Sequence, residues 1–261
     1  MGVLNVTPDS FSDGGRFDGP QAAIAAGLEM LEQGADIVDV GGESTRPGAP
    51  AVAVEQEIAR VRPVIEGLRA AGATAISIDT RKAPVARAAL DAGAGMVNDV
   101  SGGGYDPGLL EVVAAARVPY VVMHTRDIPE RMQQGDIVYR EVVADVRDWL
   151  AHAIERATGA GIARGRIVVD PGIGFGKTVD HNLALTRGLG ELRSLGQAVM
   201  YGPSRKSFIG HLLGGAPPGD RLEGSLAAVV LGVVYGADLV RVHDVAAVRR
   251  ALAVADAACR G

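Results

Sequence analysis

The stretch Ala75-Ile-Ser-Ile-Asp79 and its counterpart Met96-Val-Asn-Asp-Val100 decide the fold. Each is a short apolar run that turns polar or acidic toward its C-terminal end. Related runs occupy Gly2–Val6, Asp36–Val40, Tyr120–His124, Ile167–Asp170, Ala198–Tyr201 and Leu239–His243, giving eight predicted strands. Most are apolar almost throughout, the pattern of strands covered on both faces, and parallel sheets with helical crossovers create that environment. Between the runs, Pro20–Gln33, Val54–Ala71, Ala83–Ala92, Val138–Ala160 and Ala246–Ala258 carry Ala, Leu, Arg and Glu at helical spacing. Eight strand-helix units in 261 residues is about 33 residues per unit, close to a strand plus its crossover. The expected fold is therefore α/β, a single (β/α)8 TIM barrel occupying residues 1–261 as one domain. A doubly wound open sheet is the alternative.

Composition narrows the function classes. With 48% hydrophobic and 22% charged residues, the chain can bury a full core. A net charge of -5 gives no general attraction to nucleic acid or an anionic membrane, so an anionic ligand must be held by local cations. Cys259 is the sole cysteine, which excludes an internal disulfide and a thiolate metal cluster and fits a reducing cytoplasm. No uncharged apolar run approaches the roughly 20 residues of a membrane span, and Met1-Gly-Val-Leu-Asn5 carries no targeting pattern. The expectation is a cytoplasmic protein with neither nucleic-acid nor membrane partners. Residues 13–20, 44–53 and the Pro217-Pro218 region read as surface loops, the first two placed after strands where they could act as lids.

The polar residues are one-sided. Strands end on Asn5, Asp39, Asp79, Asn98-Asp99, His124, Asp170, Ser204-Arg205-Lys206, Arg241 and His243. In a (β/α)8 barrel all C-terminal strand ends gather on one face, where the active site lies, so these residues would converge on one cavity. A single Asp at a strand end commonly caps a helix or forms a turn, and Asp39 and Asp99 alone carry that structural meaning. Several strands turning acidic together point instead to a site. Arg241 and His243, two residues apart, share one side of the last strand and form a predicted anion site, with Arg205-Lys206 on the preceding unit. For His124 the structural and functional readings are both open. His152, His181 and His211 fall on predicted helices as surface or capping residues, and Trp149 as helix packing. No His-x-x-x-His or Glu-x-x-His spacing builds a protein-only metal site, so a metal would be an oxygen-ligated Mg2+ sharing ligands with a phosphate.

The motifs resemble those of the dihydropteroate synthase family of pterin-binding enzymes in folate biosynthesis, from Gly2 to about Ala258. The stretch Gly2-Val-Leu-Asn-Val-Thr-Pro-Asp-Ser-Phe-Ser-Asp-Gly-Gly15 is similar to the family's first motif and Asp39-Val-Gly-Gly-Glu-Ser-Thr-Arg-Pro-Gly48 to its second. Ser77-Ile-Asp-Thr80, Asn98-Asp-Val-Ser-Gly-Gly103, Met123-His124, Asp170-Pro-Gly-Ile-Gly-Phe-Gly-Lys177, Ser204-Arg-Lys-Ser-Phe208 and Arg241-Val-His243 follow in the family's order. The first motif begins at residue 2, so a segment capping the barrel bottom is expected to be absent, which bears on stability more than on activity.

The resemblance implies condensation of 6-hydroxymethyl-7,8-dihydropterin pyrophosphate with 4-aminobenzoate, a Mg2+-assisted, SN1-like step in an enzyme family targeted by sulfonamides. It implies catalytic roles for Asn5, Asp13, Lys206, Arg241 and His243, with Asn5 also the metal ligand. It places the pterin against Asp79, Asn98, Met123, Asp170, Phe175, Lys206 and Arg241. A 2-amino-4-oxo pterin presents a fork of donors that a carboxylate such as Asp170 matches in bidentate fashion. Phe11, Thr45, Arg46, Pro47 and Ser207 would shape the 4-aminobenzoate pocket and its lids, Ser207 meeting the carboxylate. The family further implies a homodimer, and the apolar helix Leu222–Val234, with Leu226, Val229, Val230 and Val233, is the expected partner surface. A pterin-dependent methyltransferase and a non-catalytic pterin-binding paralogue are the competing readings; pyrophosphate release separates both from the synthase.

Overall fold

The computed structural model describes residues 1–7, 19–46, 48–128 and 131–260. Among them, eight parallel strands pair in sequence order: β1 (Gly2–Asn5), β2 (Val38–Gly41), β3 (Ile76–Asp79), β4 (Met96–Asp99), β5 (Tyr120–Met123), β6 (Ile167–Asp170), β7 (Ala198–Tyr201) and β8 (Leu239–Val240). The sheet curls until its ends meet, with a parallel bridge between Gly2 and Val242. Val3 N donates to Val242 O at 3.0 Å and Val242 N to Met1 O at 2.9 Å across that seam. The arrangement is the (β/α)8 barrel expected from the apolar runs. β8 is shorter than the expected Leu239–His243, yet Arg241 N still donates to Tyr201 O at 3.0 Å, so the chain keeps strand-like contact past Val240.

The helices form the outer layer. They are α1 (Pro20–Glu32), α2 (Val54–Ala70), α3 (Ala83–Asp91), α4 (Gly108–Ala116), α5 (Val142–Gly159), α6 (Val179–Arg187), α7 (Leu189–Leu192), α8 (Ser207–Leu212), α9 (Leu222–Val234) and α10 (Val245–Arg260). α5 starts later than the predicted Val138 because Glu141 caps it, its carboxylate accepting from Val143 N and from Ala144 N at 2.7 Å. Strand faces pointing outward pack against these helices in one large core that includes Val40, Ile65, Ile78, Val85, Leu109, Val146 and Leu185. Inward faces behave differently: Met1, Met96, Val121 and Met200 plug the lower barrel, where flexible thioether side chains fill an irregular space.

The partner-surface expectation for α9 needs correction. Val229 is buried, and Leu226 and Val233 pack against the core. The exposed apolar residues of this region are Leu231 and Val234 on α9, with Leu212 at the end of α8 and Leu213 just after it. Leu226, Val229 and Val233 thus serve the barrel itself, Val230 is half-buried outside that core, and Leu231 and Val234 face outward. Among the described residues, no helix is long and apolar enough to cross a membrane.

Candidate active site

Register assembles the site. Asn5 pairs with Gly41, Gly41 with Asp79, and Asp79 with Asn98, while Met123 pairs with Asp170. Side chains alternate along a strand, so these aligned strand ends deliver their groups to one level of the barrel mouth. A cavity of about 50 Å³ there is lined by Thr45, Asn98, Met123, Asp170, Phe175, Lys206 and Arg241, with Val100, Ile173, Met200 and Gly202 completing its wall. A larger cavity, about 170 Å³, opens at the opposite end beside β8, α9 and α10, and none of the polar C-terminal strand ends reaches it.

Arg241 is the centre of the polar network. Its Nε donates to Asp39 Oδ2 at 2.7 Å and its Nη2 to Asp79 Oδ2 at 2.7 Å. Asn98 Nδ2 donates to the same Asp39 Oδ2 at 2.9 Å. Asp39 is fully buried. Its second oxygen, Oδ1, has no hydrogen-bond partner, and neither has Asp79 Oδ1 or the hydroxyl of Ser77 just below. Unsatisfied buried polar atoms are costly, and neither aspartate is among the residues that line the mouth cavity, although both hold Arg241, which is. Asp39 is the residue that reading the sequence undervalued. The available signal was parity: Asp39 shares one side of β2 with Gly41, whose register neighbour is Asp79.

Burial sets the charge states. It pushes Asp79 upward, with Arg241 opposing and Asp39 reinforcing the shift. Asp170 is also raised by burial, against the pull of its hydrogen bond from Gly172 N at 2.7 Å and of Lys206. Lys206 is brought down to about 8, chiefly by burial, although Asp170 opposes the shift. Its Nζ sits 4.2 Å from the centre of the Phe175 ring, a cation-π contact that holds the ammonium over the cavity wall.

His243 departs from the expected pair of cations. Burial, then Arg241 and Arg205, lower it to about 4, so the imidazole is neutral at pH 7. Its Nδ1 lies 3.1 Å from Ser204 Oγ. Arg205 does not line the cavity: its guanidinium pairs with Asp244, Nε to Oδ2 at 2.9 Å. His124 falls outside the cavity lining. It lies edge-on to Trp149, 5.0 Å between ring centres, and its Nδ1 is 2.9 Å from Lys177 Nζ. Burial takes His124 down to about 2 and Lys177 to about 7, making a buried structural pair behind the site.

The loop after β6 is clamped to β5. His124 N donates to Asp170 O at 2.9 Å. Gly172 has φ +67°, and a Cβ there would overlap the carbonyl oxygen of His124. That approach carries Phe175 into the cavity wall. Asp99 proves structural, its carboxylate accepting from Ser101 N at 2.7 Å, Gly103 N at 2.6 Å and Tyr120 Oη at 2.7 Å. His181 caps α6 reciprocally with Thr178, as a helix-start His was expected to do.

Of the remaining predicted site residues, Asn5 ends β1 beside Gly41, its Oδ1 3.8 Å from where a Cβ on Gly41 would lie, and it is not among the residues lining the cavity. Arg46 and Ser207 are exposed and do not line the cavity. Phe11, Asp13 and Pro47 lie outside the described residues. Among the described residues, no group of three His, Cys, Asp or Glu side chains forms a metal cage.

The family model described as "Pterin binding enzyme" matches residues 1–243. A dihydropteroate synthase from Mycobacterium leprae is 48% identical over 262 residues, covering 98% of this chain and 92% of the relative. This chain belongs to the dihydropteroate synthase family of pterin-binding enzymes. Solved structures of the family agree with the barrel described above. The Xanthomonas albilineans dihydropteroate synthase with 4-aminobenzoic acid superposes with a TM-score of 0.93 at 50% identity, over 99% of this chain and 92% of that one. The same organism's enzyme in complex with 7,8-dihydropteroate gives 0.88 at 46% identity, again over 99% and 92%.

Proposed function

We infer that this chain is a folate-biosynthesis transferase that condenses 6-hydroxymethyl-7,8-dihydropterin pyrophosphate with 4-aminobenzoate, releasing pyrophosphate and 7,8-dihydropteroate. The observation that carries the reading is the convergence of Asn98, Asp170, Lys206 and Arg241 on one cavity. Asp170 would accept the pterin ring N–H and exocyclic amine, while Asn98 and Asp79 meet the other ring edges and Lys206 donates to the carbonyl and N5 side. Met123 and Phe175 would form the apolar walls.

In the reaction, the methylene carbon of the pterin loses its bond to the pyrophosphate oxygen and gains one to the aniline nitrogen. The departing oxygen keeps the electron pair, and the aniline nitrogen, already unprotonated at neutral pH, sheds one proton to solvent after bond formation. No strong base is required. The methylene becomes cationic as pyrophosphate leaves, so the step is SN1-like, and the chain's part is to place charge where it develops. With Nε and Nη2 engaged by Asp39 and Asp79, Arg241 offers Nη1 to the pyrophosphate. Neutral His243 offers an N–H rather than a charge.

At the mouth Arg241 is already shared by Asp39 and Asp79, and Lys206 lies beside Asp170. A pyrophosphate adds further negative charge, so a divalent cation fits the electrostatics. Asn5, at the end of β1, would supply an oxygen donor for Mg2+, and the ion would supply charge neutralisation at the leaving group. Thr45 would border the 4-aminobenzoate pocket with Phe11, Arg46 and Pro47, with Ser207 toward its carboxylate and Asp13 ordering the closed site. We further propose a cytoplasmic homodimer built from the chain as one domain, with Leu212, Leu213, Leu231 and Val234 at the interface.

The test is pyrophosphate release from purified protein given both substrates, with and without Mg2+, beside Asp170→Asn and Arg241→Ala. Release that needs Mg2+ and both residues supports the reading. Folded protein that binds the pterin without releasing pyrophosphate overturns it.

A further inference from the structure

Four charged side chains are buried together outside the cavity: Glu43, Glu57, Arg81 and Lys82. Lys82 Nζ donates to Glu43, to Glu57 Oε2 at 2.6 Å and to the carbonyl of Val52 at 2.6 Å, which uses all three of its protons. Glu43 accepts in addition from Arg81 Nη2 at 2.9 Å and from Val52 N at 3.0 Å. Thr80 Oγ1 donates to Glu57 Oε1 at 2.7 Å. Burial alone would raise Glu43, yet the hydrogen bonds from Lys82 and Val52 leave it below its ordinary value. Burial likewise opposes the Lys82 charge, and the two glutamates more than offset it. The cluster sets two acidic side chains against two basic ones.

Its topology gives it meaning. Glu43 directly follows β2 and Gly42, and Val52 stands just before α2, so the network ties together the two ends of the segment between them. Thr45, which lines the mouth cavity, sits on that segment two residues after Glu43. Gly42 is required at the anchor, because a Cβ there would come within 2.8 Å of Val61 and 3.2 Å of the Glu57 carbonyl on α2. Thr80, Arg81 and Lys82 directly follow Asp79 at the end of β3.

We propose that this buried ionic staple positions Thr45 against the second substrate, so that Glu43, Glu57 and Lys82 are positioning residues for 4-aminobenzoate. The inference rests on the synthase reading above. Removing a member breaks the hydrogen bonds that hold Glu43 and, in a single variant, also leaves a buried charge uncompensated, so the segment's anchored end loosens while Asn98 and Asp170 keep their own supports on β4 and β6.

The test compares Lys82→Met with the charge-balanced pair Glu43→Gln/Lys82→Met, which leaves Arg81 and Glu57 as one charge of each sign. In both, KM for 4-aminobenzoate rises about tenfold while KM for the pterin pyrophosphate stays within about twofold. Amide hydrogen exchange between Glu43 and Val52 accelerates over that of β3 and β4. A folded double variant with both KM values unchanged, or with both raised alike, overturns the proposal, as does unchanged exchange in the segment. If the wild-type protein releases no pyrophosphate, the synthase reading fails on its own, and exchange still decides whether the staple fixes the segment.

Discussion

Replacing Asp39 by Asn tests whether the pterin site is organised from beneath. Asn has the same shape, and its carbonyl can stay at the Oδ2 position that serves Arg241 Nε at 2.7 Å and Asn98 Nδ2 at 2.9 Å. The new amide NH2 replaces Oδ1, which has no partner to clash with or to lose. Packing is therefore preserved and only the charge is removed. A charge-assisted hydrogen bond is worth about 1.5–3 kcal/mol, roughly 10- to 150-fold in rate or affinity. Arg241 keeps Asp79 at 2.7 Å, so the guanidinium is not left unpaired, and the stability loss should stay near 2 kcal/mol. We expect kcat/KM for the pterin pyrophosphate to fall by about 30- to 100-fold, with Tm lower by about 4–8 °C. Pyrophosphate release kinetics and thermal unfolding measure the two. A variant whose Tm falls as expected while kcat/KM stays within about twofold would refute the reasoning, making Asp39 a support of the fold alone.

Four further outcomes follow from the geometry. Pterin binding should weaken as pH rises through about 8, where Lys206 loses its proton, and Lys206→Arg should abolish that limb of the kcat/KM profile. Stability runs the other way: the native state binds fewer protons at Lys206 than the unfolded chain between about 8 and its ordinary value, so this residue's contribution grows with pH there. His243, neutral above about 4, should add no step near pH 6.5, and a step there that vanishes in His243→Gln would contradict its burial. Gly172→Ala should cost about 4 kcal/mol or more, because φ +67° and the His124 carbonyl both exclude a Cβ; denaturant titration reads it, and a loss below about 1 kcal/mol would show that the clamp can relax. Glu141→Ala removes the α5 cap at a cost of about 1 kcal/mol and should leave kcat/KM unchanged, which makes it the control for stability effects.

The sequence by itself determined the barrel and the face that carries the site. Strand identity is a local property, written in runs such as Ile76–Asp79 and Ile167–Asp170, and parallel order follows from the helices between them. The change from apolar to polar at strand ends is equally local, so Asn98, Asp170, Lys206 and Arg241 could be named before any coordinate. Tertiary structure decided their pairings and charges. Arg241 meets Asp39 across 202 residues of chain, and no spacing rule reports that contact. A histidine two residues after an arginine reads as a second cation until burial shows that it is neutral. Glu43 and Lys82 stand 39 residues apart with no spacing that couples them, and only the approach of β2, β3 and α2 buries them as a pair. In α9 the apolar stripe was legible, but which of its sides the barrel covers depended on where α10 and β7 pack. Periodicity is local and survives in the sequence, whereas desolvation and long-range pairing exist only once the chain has closed on itself.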